Sequence, residues 1–394
     1  TLSGSVHIDA HRGSRPYDRM IFGQFLEHFH RQVYGGVFDP GSPLADERGF
    51  RRDVIATLRE LRAPIVRWPG GCFVSAYHWK DGVGPDRLPS YDKAWQVEDP
   101  NTFGTDEFVA WCRAIGAEPY ICTNGGSGTA EEMSDWVEYC NLPSAGRWAR
   151  LRQANGCVQP HAVRYWSIGN ENYGAWEIGA KTAEEWARFV AESAKMMRRV
   201  DPTIKLLAAA LPDLDWTLTL LRHAGQYLDY VSIHGYWDPL WEHDAPSDYA
   251  ACMTRATQPE ASIVATEHVI AVAGYEGRIG IAFDEWNLRG WHHPRRGFSA
   301  DLAARDRNDI AATYTMADAV FSAGFLNSCL RHADAVKMAN MAPVVNARGP
   351  LFVHPGGVVR RTTFHVLAMY ANQLAERVAD AWVRSDPLAH NDAS

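Results

Sequence analysis

The sequence predicts a (β/α)8 barrel, and two of its features favour that fold over other α/β architectures. Eight short apolar runs with strand character alternate along the chain with amphipathic stretches of helical period, an order typical of a parallel sheet covered by helices. Two of the runs end in a glutamate, Glu171 and Glu285, and the carboxyl ends of barrel strands form the mouth of the active site. A doubly wound open sheet is the alternative, but no glycine-rich phosphate turn follows the first strand.

The predicted strands are short and bounded by polar or glycine-containing loops, as expected of strands buried on both faces. In chain order they are Met20–Phe25, Pro64–Trp68, Glu118–Thr123, Tyr165–Gly169, Ile204–Ala209, Tyr230–His234, Gly280–Glu285 and Ala335–Ala339. The predicted helices are Arg52–Leu61, Thr105–Ile115, Ala130–Cys140, Thr182–Arg198, Trp216–His223, Ala261–Ala273 and Arg307–Ser328. Thr182 and Glu185 have capping-box spacing, which predicts a helix start there.

The two ends of the chain do not fit the barrel pattern. Residues 12–372 are predicted to form the catalytic barrel, and residues 1–11 and 373–394 to be parts of an accessory β-sandwich. Ser5–Ala10 alternates with period two, and the tail beyond Leu374 also has extended character. A lone alternating strand can neither bury one face nor pair its backbone. We therefore expect most of this C-terminal sandwich to be missing from the 394 residues.

Composition and charge argue against several classes of protein. The formal net charge is −8, and no Lys/Arg cluster forms a phosphate-binding stripe, so nucleic acid is not an expected partner. The sequence has no apolar run of about 18 residues that would span a membrane, and its first residues are unlike a signal peptide. The seven cysteines are scattered, odd in number and without a Cys-x-x-Cys pair, which favours reduced thiols in a cytoplasmic protein.

Glu171 and Glu285 lie in two distinctive segments, Trp166–Gly174 (WSIGNENYG) and Ile281–Asn287 (IAFDEWN). Two carboxyl groups on different strand ends are what cleavage of a glycosidic bond requires. Two glutamates in unrelated loops are the alternative interpretation. A carbohydrate-binding barrel without catalysis is disfavoured, because bringing two carboxylates together has an electrostatic cost that a binding protein need not bear.

Three further segments follow predicted strands. They are Phe22–His28 (FGQFLEH), Arg67–Pro85 (beginning RWPGGCF) and Ile233–Trp237 (IHGYW). Together with the two glutamate segments they resemble the α-L-arabinofuranosidases of glycoside hydrolase family 51, and the likeness extends from about Ser5 to Ala371. The Arg-Trp-Pro-Gly-Gly, Gly-Asn-Glu and Asp-Glu-Trp-Asn sequences are specific in combination, although each alone would be weak.

The resemblance implies a retaining double displacement with Glu171 as general acid/base and Glu285 as nucleophile, roles that the spacing itself does not assign. Such a site needs carboxyl groups about 5–5.5 Å apart. The implied activity is exo-acting release of α-L-arabinofuranosyl groups from plant polysaccharides or their oligosaccharides, with no cofactor or metal. The alternatives are an endo-β-glucanase or xylanase, a galactofuranosidase, or a non-catalytic carbohydrate-binding barrel. The family also implies a homo-oligomer, with a hexamer as one candidate.

The resemblance further implies a set of sugar-binding residues, each with an ordinary structural role as the alternative. Glu27 resembles a clamp on sugar hydroxyl groups, and Asn170 a partner of the 2-hydroxyl whose hydrogen bond tightens in the transition state. Tyr236 would hold the carboxylate of the nucleophile, and His234 would lie beside it. Cys72 would contact the sugar ring or simply be a buried thiol.

Aromatic side chains near the strand ends could stack on the apolar faces of sugar rings. The tryptophans in or near these loops are Trp79, Trp95, Trp176, Trp237, Trp286 and Trp291. We expect about half of them in the core, and select Trp176 and Trp286 as the two near the cleft.

Two departures from the family pattern concern the sugar site. Asn172-Tyr173 follows Glu171 where the family has Met-Asp, and Pro343 stands where the family has a glutamine that reaches the sugar. Because proline has no side-chain donor, we expect the first subsite to be altered or completed by another residue. Glu27–His30 and His292-His293 could suggest a metal, but neither has helical histidine spacing with a distant third ligand.

Overall fold

The described strands include a closed parallel barrel, as the sequence predicts. The computed structural model describes residues 3–12, 15–242, 245–290 and 314–386. Its strands are β1 (Gly4–Asp9), β2 (Arg15–Pro16), β3 (Gly23–Phe25), β4 (Ile65–Trp68), β5 (Ser90–Asp92), β6 (Val97–Asp99), β7 (Glu118–Thr123), β8 (Tyr165–Ile168), β9 (Lys205–Ala209), β10 (Tyr230–Asp238), β11 (Gly280–Arg289), β12 (Val336–Met341), β13 (Leu351–His354), β14 (Gly357–Arg360), β15 (Arg377–Val378) and β16 (Asp380–Ser385). Strands β3, β4 and β7 to β12 form the barrel, and β12 pairs with β3 to close it.

Helices alternate with the barrel strands. They are α1 (Arg52–Leu61), α2 (Thr105–Ile115), α3 (Ala130–Asn141), α4 (Arg147–Ala154), α5 (Ala183–Val200), α6 (Leu214–Ala224), α7 (Tyr249–Thr254), α8 (Gln258–Val272), α9 (Met316–Arg331) and α10 (Thr362–Gln373). The capping box at Thr182 and Glu185 is confirmed at the start of α5. Helix α4 was not predicted. Its buried face includes Arg152, a charged residue that interrupts the apolar pattern and donates to main-chain carbonyl groups. The predicted helix start at Arg307 lies outside the described residues.

Strands β10 and β11 extend beyond their predicted ends, to Asp238 and Arg289. These two residues are partners in the strand register, and the Arg289 guanidinium lies 2.6 Å from the Asp238 carboxylate. Charged residues at buried positions hid this extension from the hydrophobic pattern. The same register places His234 opposite Glu285, so neighbouring strands bring these two side chains to the mouth of the barrel.

The lower part of the barrel is filled by a small apolar cluster, and this leaves the polar chemistry to the carboxyl ends of the strands. Its members are Ile65, Tyr120, Tyr165, Leu207, Ala282 and Met338. A larger core between the strands and the helices holds most of the buried tryptophans. A floor of this kind gives the side chains above it a rigid support.

The two ends of the described chain pair with each other. Strand β1 is antiparallel to β16 over six residue pairs, and β15 pairs with β2. Val6 and Ile8 remain about two-thirds exposed, at 66% and 69%. The division into a barrel at 12–372 and accessory parts at 1–11 and 373–394 stays a prediction.

Two expectations from composition can be compared with the structure. All seven cysteines are free thiols. Among the described helices, none combines the length and the apolar character needed to cross a bilayer.

Candidate active site

A cavity of about 560 Å³ opens at the carboxyl ends of the barrel strands. The strands place the predicted residues in order around it: Glu27 follows β3, Glu171 follows β8, Tyr236 lies in β10 and Glu285 in β11. The cavity is lined by Glu27, Gly71, Cys72, Lys93, Ala94, Trp95, Glu171, Trp176, Glu177, Ile178, Tyr236, Trp241 and Glu285. Four of these are glutamates, a concentration of acid groups that points to proton transfer or nucleophilic chemistry.

Glu285 is held by two donors, Tyr236 from the neighbouring strand β10 and Arg67 from β4, which lies further around the barrel. Its Oε2 accepts a hydrogen bond from Arg67 Nη1 at 2.8 Å, and its Oε1 accepts one from the hydroxyl of Tyr236 at 2.7 Å. The side chain is buried except for its face toward the cavity. Both oxygens therefore have fixed directions, and the carboxylate is oriented before any substrate arrives.

Arg67 is fully buried and connects three strand ends. Besides Glu285, its Nη2 donates to Asn170 Oδ1 at 2.7 Å, and its Nε lies 3.3 Å from Asp284 Oδ2. Burial would raise the pKa of Asp284, but the charge of Arg67 and the hydrogen bond of His234 lower it to about 2. Asp284 thus supplies a permanent negative charge that balances the buried guanidinium.

Glu171 stands in a left-handed backbone conformation, with φ of 45°. Such a conformation is strained for a residue with a side chain and is typical of functional sites. Its Oε1 lies 2.8 Å from His234 Nδ1, and its Oε2 accepts a hydrogen bond from Trp176 Nε1 at 3.0 Å. One carboxylate oxygen of Glu171, one of Glu285 and a ring nitrogen of His234 all lie within 4.8 Å of one another.

The surroundings of His234 and Glu171 favour a proton on the histidine and a charged carboxylate beside it. Burial would lower the pKa of His234, but the charges of Glu285 and Glu171 and the hydrogen bond to Asp284 raise it to about 10. Burial would raise the pKa of Glu171, yet the hydrogen bond and charge of His234 hold it below its ordinary value. The pair therefore retains one proton near Glu171 over the physiological range.

This protonation predicts a pH dependence of stability. The folded pKa of His234, about 10, lies above its ordinary 6.5, so its contribution to the free energy of unfolding is complete below pH 6.5 and is lost as the pH rises through 10. We expect the difference in free energy of unfolding between the wild type and His234→Gln to shrink from pH 6.5 to 10 in urea titrations. The exposed His223→Gln supplies the reference slope. A difference that stays constant over this range would contradict the expectation.

Glu27 faces the cavity beside the nucleophile candidate. Its Oε1 accepts hydrogen bonds from Trp95 Nε1 at 2.9 Å and from the main chain of Phe73 at 3.1 Å. Burial, and then the charge of Glu285, raise its pKa well above the ordinary value. A Cβ at Gly71 would lie 3.4 Å from carboxylate oxygens of both Glu27 and Glu285, so a side chain there would fill the space between them.

The structure brings together most of the predicted site. Glu27, Cys72, Glu171, Trp176 and Glu285 line the cavity, as does Tyr236. Asn170 and His234 lie directly behind its wall, each hydrogen bonded to a residue of the network. Their contact with a sugar stays a prediction.

Trp286 is a correction. It is fully buried and stacks on Phe325 of α9 with ring centroids 3.8 Å apart, so it does not line the cavity. Strand β11 is irregular in its pairing with β12 between Phe283 and Trp286, which marks a bulge. Asp284 and Glu285 therefore both point into the barrel, and Trp286 points out to the helices. The prediction was wrong because it assumed that a residue beside Glu285 in the sequence also faces the cleft.

The cavity and network residues that were not selected from the sequence include Arg67, Trp95, Glu177, Trp241 and Asp284. Arg67 lies in the Arg-Trp-Pro-Gly-Gly sequence and Asp284 in the Asp-Glu-Trp-Asn sequence, and their place in these motifs was the available signal. Trp95 and Trp241 follow the rule that loop aromatics border sugar sites. Nothing in the sequence marked Glu177, which lies six residues after Glu171.

The histidines considered for a metal have other partners where they are described. His28 lies 2.7 Å from Asp99 through Nδ1 and accepts a hydrogen bond from Trp68 through Nε2, so both ring nitrogens are used. His292-His293 lies outside the described residues. The atoms of Glu171, His234 and Glu285 are close enough to surround an ion, but Arg67 already pairs with Glu285 and His234 with Glu171.

Comparisons with known proteins identify the family of this chain. Residues 57–254 match the family model described as alpha-L-arabinofuranosidase 1 domain, and residues 284–393 match the alpha-L-arabinofuranosidase C-terminal domain. The intracellular exo-α-(1→5)-L-arabinofuranosidase of Halalkalibacterium halodurans is 38% identical over 391 residues, which cover 96% of this chain and 77% of that protein.

Solved structures give the same result. An arabinose complex of the α-L-arabinofuranosidase from Thermotoga maritima has a TM-score of 0.87 and 37% identity, covering 97% of this chain and 76% of that one. The GH51 arabinofuranosidase from Xanthomonas axonopodis pv. citri has a TM-score of 0.89 and 28% identity, covering 100% and 80%.

Proposed function

Because the chain belongs to the α-L-arabinofuranosidases of glycoside hydrolase family 51 and is a glycoside hydrolase, we propose that it acts by a retaining double displacement. We propose as its substrate a terminal α-L-arabinofuranosyl group on a plant polysaccharide or its oligosaccharides. The relative from H. halodurans is named as an exo-acting arabinofuranosidase, which supports this choice.

The observation that carries the proposal is the short distance between the two glutamates. Carboxylate oxygens of Glu171 and Glu285 lie within 4.8 Å of each other. Retaining enzymes hold their carboxyl groups about 5–5.5 Å apart, whereas inverting enzymes need roughly 6.5–9.5 Å to admit a water molecule between base and sugar. The separation therefore favours direct attack by a carboxylate on the sugar.

In the first half-reaction Glu285 attacks the anomeric carbon and the bond to the leaving oxygen breaks. Tyr236 and Arg67 aim the attacking carboxylate. Glu171 protonates the leaving oxygen, and His234 Nδ1 supplies that proton across 2.8 Å. His234 Nε2 lies 3.5 Å from Asp284, which stabilises a proton on Nε2 and leaves Nδ1 as the nitrogen that gives its proton away.

In the second half-reaction a water molecule attacks the ester of Glu285. Glu171 removes a proton from that water, and His234 can take it up in turn. The ester no longer carries the negative charge that raises the pKa of His234. The proton of the pair is therefore held less tightly at that stage than in the free enzyme.

Hydrolysis of a panel of nitrophenyl glycosides tests the function. We expect the α-L-arabinofuranoside to be cleaved with a higher kcat/KM than the galactofuranoside, xyloside or glucoside. NMR spectra recorded in the first minutes should contain the α-anomer of arabinose before mutarotation. First appearance of the β-anomer would overturn the double displacement, and preference for xylan or β-glucan fragments would favour the endo-acting alternative.

The homo-oligomer implied by the family resemblance also stays a prediction. Light scattering of the purified protein measures its mass directly, and a monomer would contradict it.

A further inference from the structure

Glu177 is a fourth carboxyl group in the wall of the cavity, and the mechanism above does not use it. It follows Trp176 in the loop after β8, within a turn in which its main-chain N–H donates to Gly174. Its side chain is only 4% exposed, yet it borders the cavity. A buried carboxyl group beside a solvent-filled site needs a reason, because desolvation of the group is costly.

The hydrogen bonds of Glu177 are incomplete. Its Oε2 accepts from Asn170 Nδ2 at 3.4 Å, a long contact, and its Oε1 has no hydrogen-bond partner among the described residues. Burial and the charge of Glu171 raise its pKa to about 7, and the nearby Ser75 and Cys72 offset only part of that rise. Apart from Asn170, Ser75 and Cys72, the group therefore lacks the donors that normally accompany a buried carboxylate.

Its neighbours place Glu177 next to the reacting centre. Polar side-chain atoms of Cys72, Glu171 and Glu177 all lie within 4.8 Å of one another, and Cys72 and Glu171 line the same cavity. Arg67 can only donate, so its contact with Asn170 Oδ1 turns the amide nitrogen of Asn170 toward Glu177. Glu177 borders the cavity on the side of Cys72 and Glu171, so its carboxyl group is an acceptor for a hydroxyl group bound there.

We propose that Glu177 is a substrate-binding residue whose carboxyl group hydrogen bonds a ring hydroxyl of the sugar in the cavity, on the side bordered by Cys72 and Glu171. This inference rests on the proposed function, because the hydroxyl belongs to the furanoside that is cleaved. The ligand is a neutral sugar with a free hydroxyl group near its anomeric carbon. A carboxylated sugar at this position would face Glu177 and Glu171 and be repelled.

This role also fits the expectation that another residue completes the first sugar subsite, where Pro343 replaces the glutamine of the family. A proline there removes a side chain that could bind the sugar, and Pro343 does not line the cavity. Glu177 contributes an acceptor from a different strand end. Selectivity follows, because a polar group built to meet a substrate hydroxyl is left unpaired by an analogue without it.

The test pairs two changes, one in the protein and one in the substrate. Glu177→Ala and Glu177→Gln are compared with the wild type on an aryl α-L-arabinofuranoside and on its 2-deoxy, 3-deoxy and 5-deoxy analogues. We expect Glu177→Ala to lower kcat/KM on the parent substrate by about 10- to 100-fold, the range of a hydrogen bond to a charged group. On the analogue that lacks the contacted hydroxyl, the same variant should lose less than about threefold, because the interaction is already absent.

Glu177→Gln keeps the shape and one carbonyl oxygen, so we expect a smaller loss than in Glu177→Ala with the same dependence on the analogue. It also serves if Glu177→Ala fails to fold, which thermal melting detects. The matched control is Glu376→Gln, at an exposed glutamate beyond α10, which should leave all four substrates unchanged.

Equal losses on the parent and on all three analogues would overturn the contact and assign Glu177 a positioning role on Asn170. Unchanged kcat/KM of the Glu177 variants on all four substrates would overturn both the sugar contact and the positioning role. Failure of the proposed function gives a separate result, since the wild type would then not cleave the parent arabinofuranoside. In that case the same comparison is made on the glycoside that the panel identifies.

Discussion

Replacing Glu285 by alanine is expected to lower kcat by on the order of 10⁵-fold, even on an aryl arabinofuranoside with a good leaving group. The leaving group does not matter because the lost step is attack on the anomeric carbon, which no other group is oriented to perform. Arg67 and Tyr236 would remain in place but would hold no nucleophile. Initial rates on nitrophenyl arabinofuranoside measure the loss.

The control for that experiment is Glu376→Ala, which removes an exposed glutamate far from the strand ends and should keep full activity. Thermal melting of Glu285→Ala separates loss of chemistry from loss of fold, because removal of Glu285 leaves Arg67 with one carboxylate partner fewer. A folded Glu285→Ala protein that retains turnover would place the nucleophile elsewhere.

Replacing Glu171 by alanine is expected to have an effect that depends on the leaving group. On natural arabino-oligosaccharides the alkoxide must be protonated as it leaves, and we expect a loss of about 10²- to 10⁴-fold. On a dinitrophenyl arabinofuranoside the first half-reaction needs little protonation, so the glycosyl-enzyme should form in a burst and then persist. Stopped-flow release of the phenol measures that burst.

Azide distinguishes the two glutamates. In Glu171→Ala it should attack the glycosyl-enzyme without a general base, restore turnover and give the α-glycosyl azide with retained configuration. If the retained azide forms instead in the Glu285 variant, the two roles are exchanged. If azide restores neither variant, the double displacement is refuted.

The sequence predicted those parts of the molecule that depend on neighbouring residues. Strand runs, helix caps and the two glutamates at strand ends are local features, and most are present where they were expected, although a 3-10 helix at Arg19–Phe22 replaces the predicted start of the first strand. Arg67 contacts Glu285, which is 218 positions away in the sequence, and only barrel closure creates this contact. The sequence shows that such a residue belongs to a motif, but it does not show which distant residue it contacts or what it does there.

The errors have local physical causes. A buried arginine replaced an apolar residue in α4, so its pattern was missed. Trp286 was assigned to the cleft because regular alternation cannot describe the bulge in β11. Glu177 was overlooked because an acidic residue in a loop is expected to be solvated, and only the fold shows that this one is buried.

The bulge in β11 makes the length of this strand as important as its composition. Phe283 and Trp286 face the helices, while Asp284 and Glu285 between them share the interior. Removal of either codon between Phe283 and Trp286 would restore strict alternation but would delete one of the two carboxylates. Either the attacking group or the counter-charge of Arg67 would then be lost, although every other amino acid remained. Point substitutions at this site can be graded in effect, but changes in chain length are all-or-none, so in-frame deletions here should be absent from any library selected for activity.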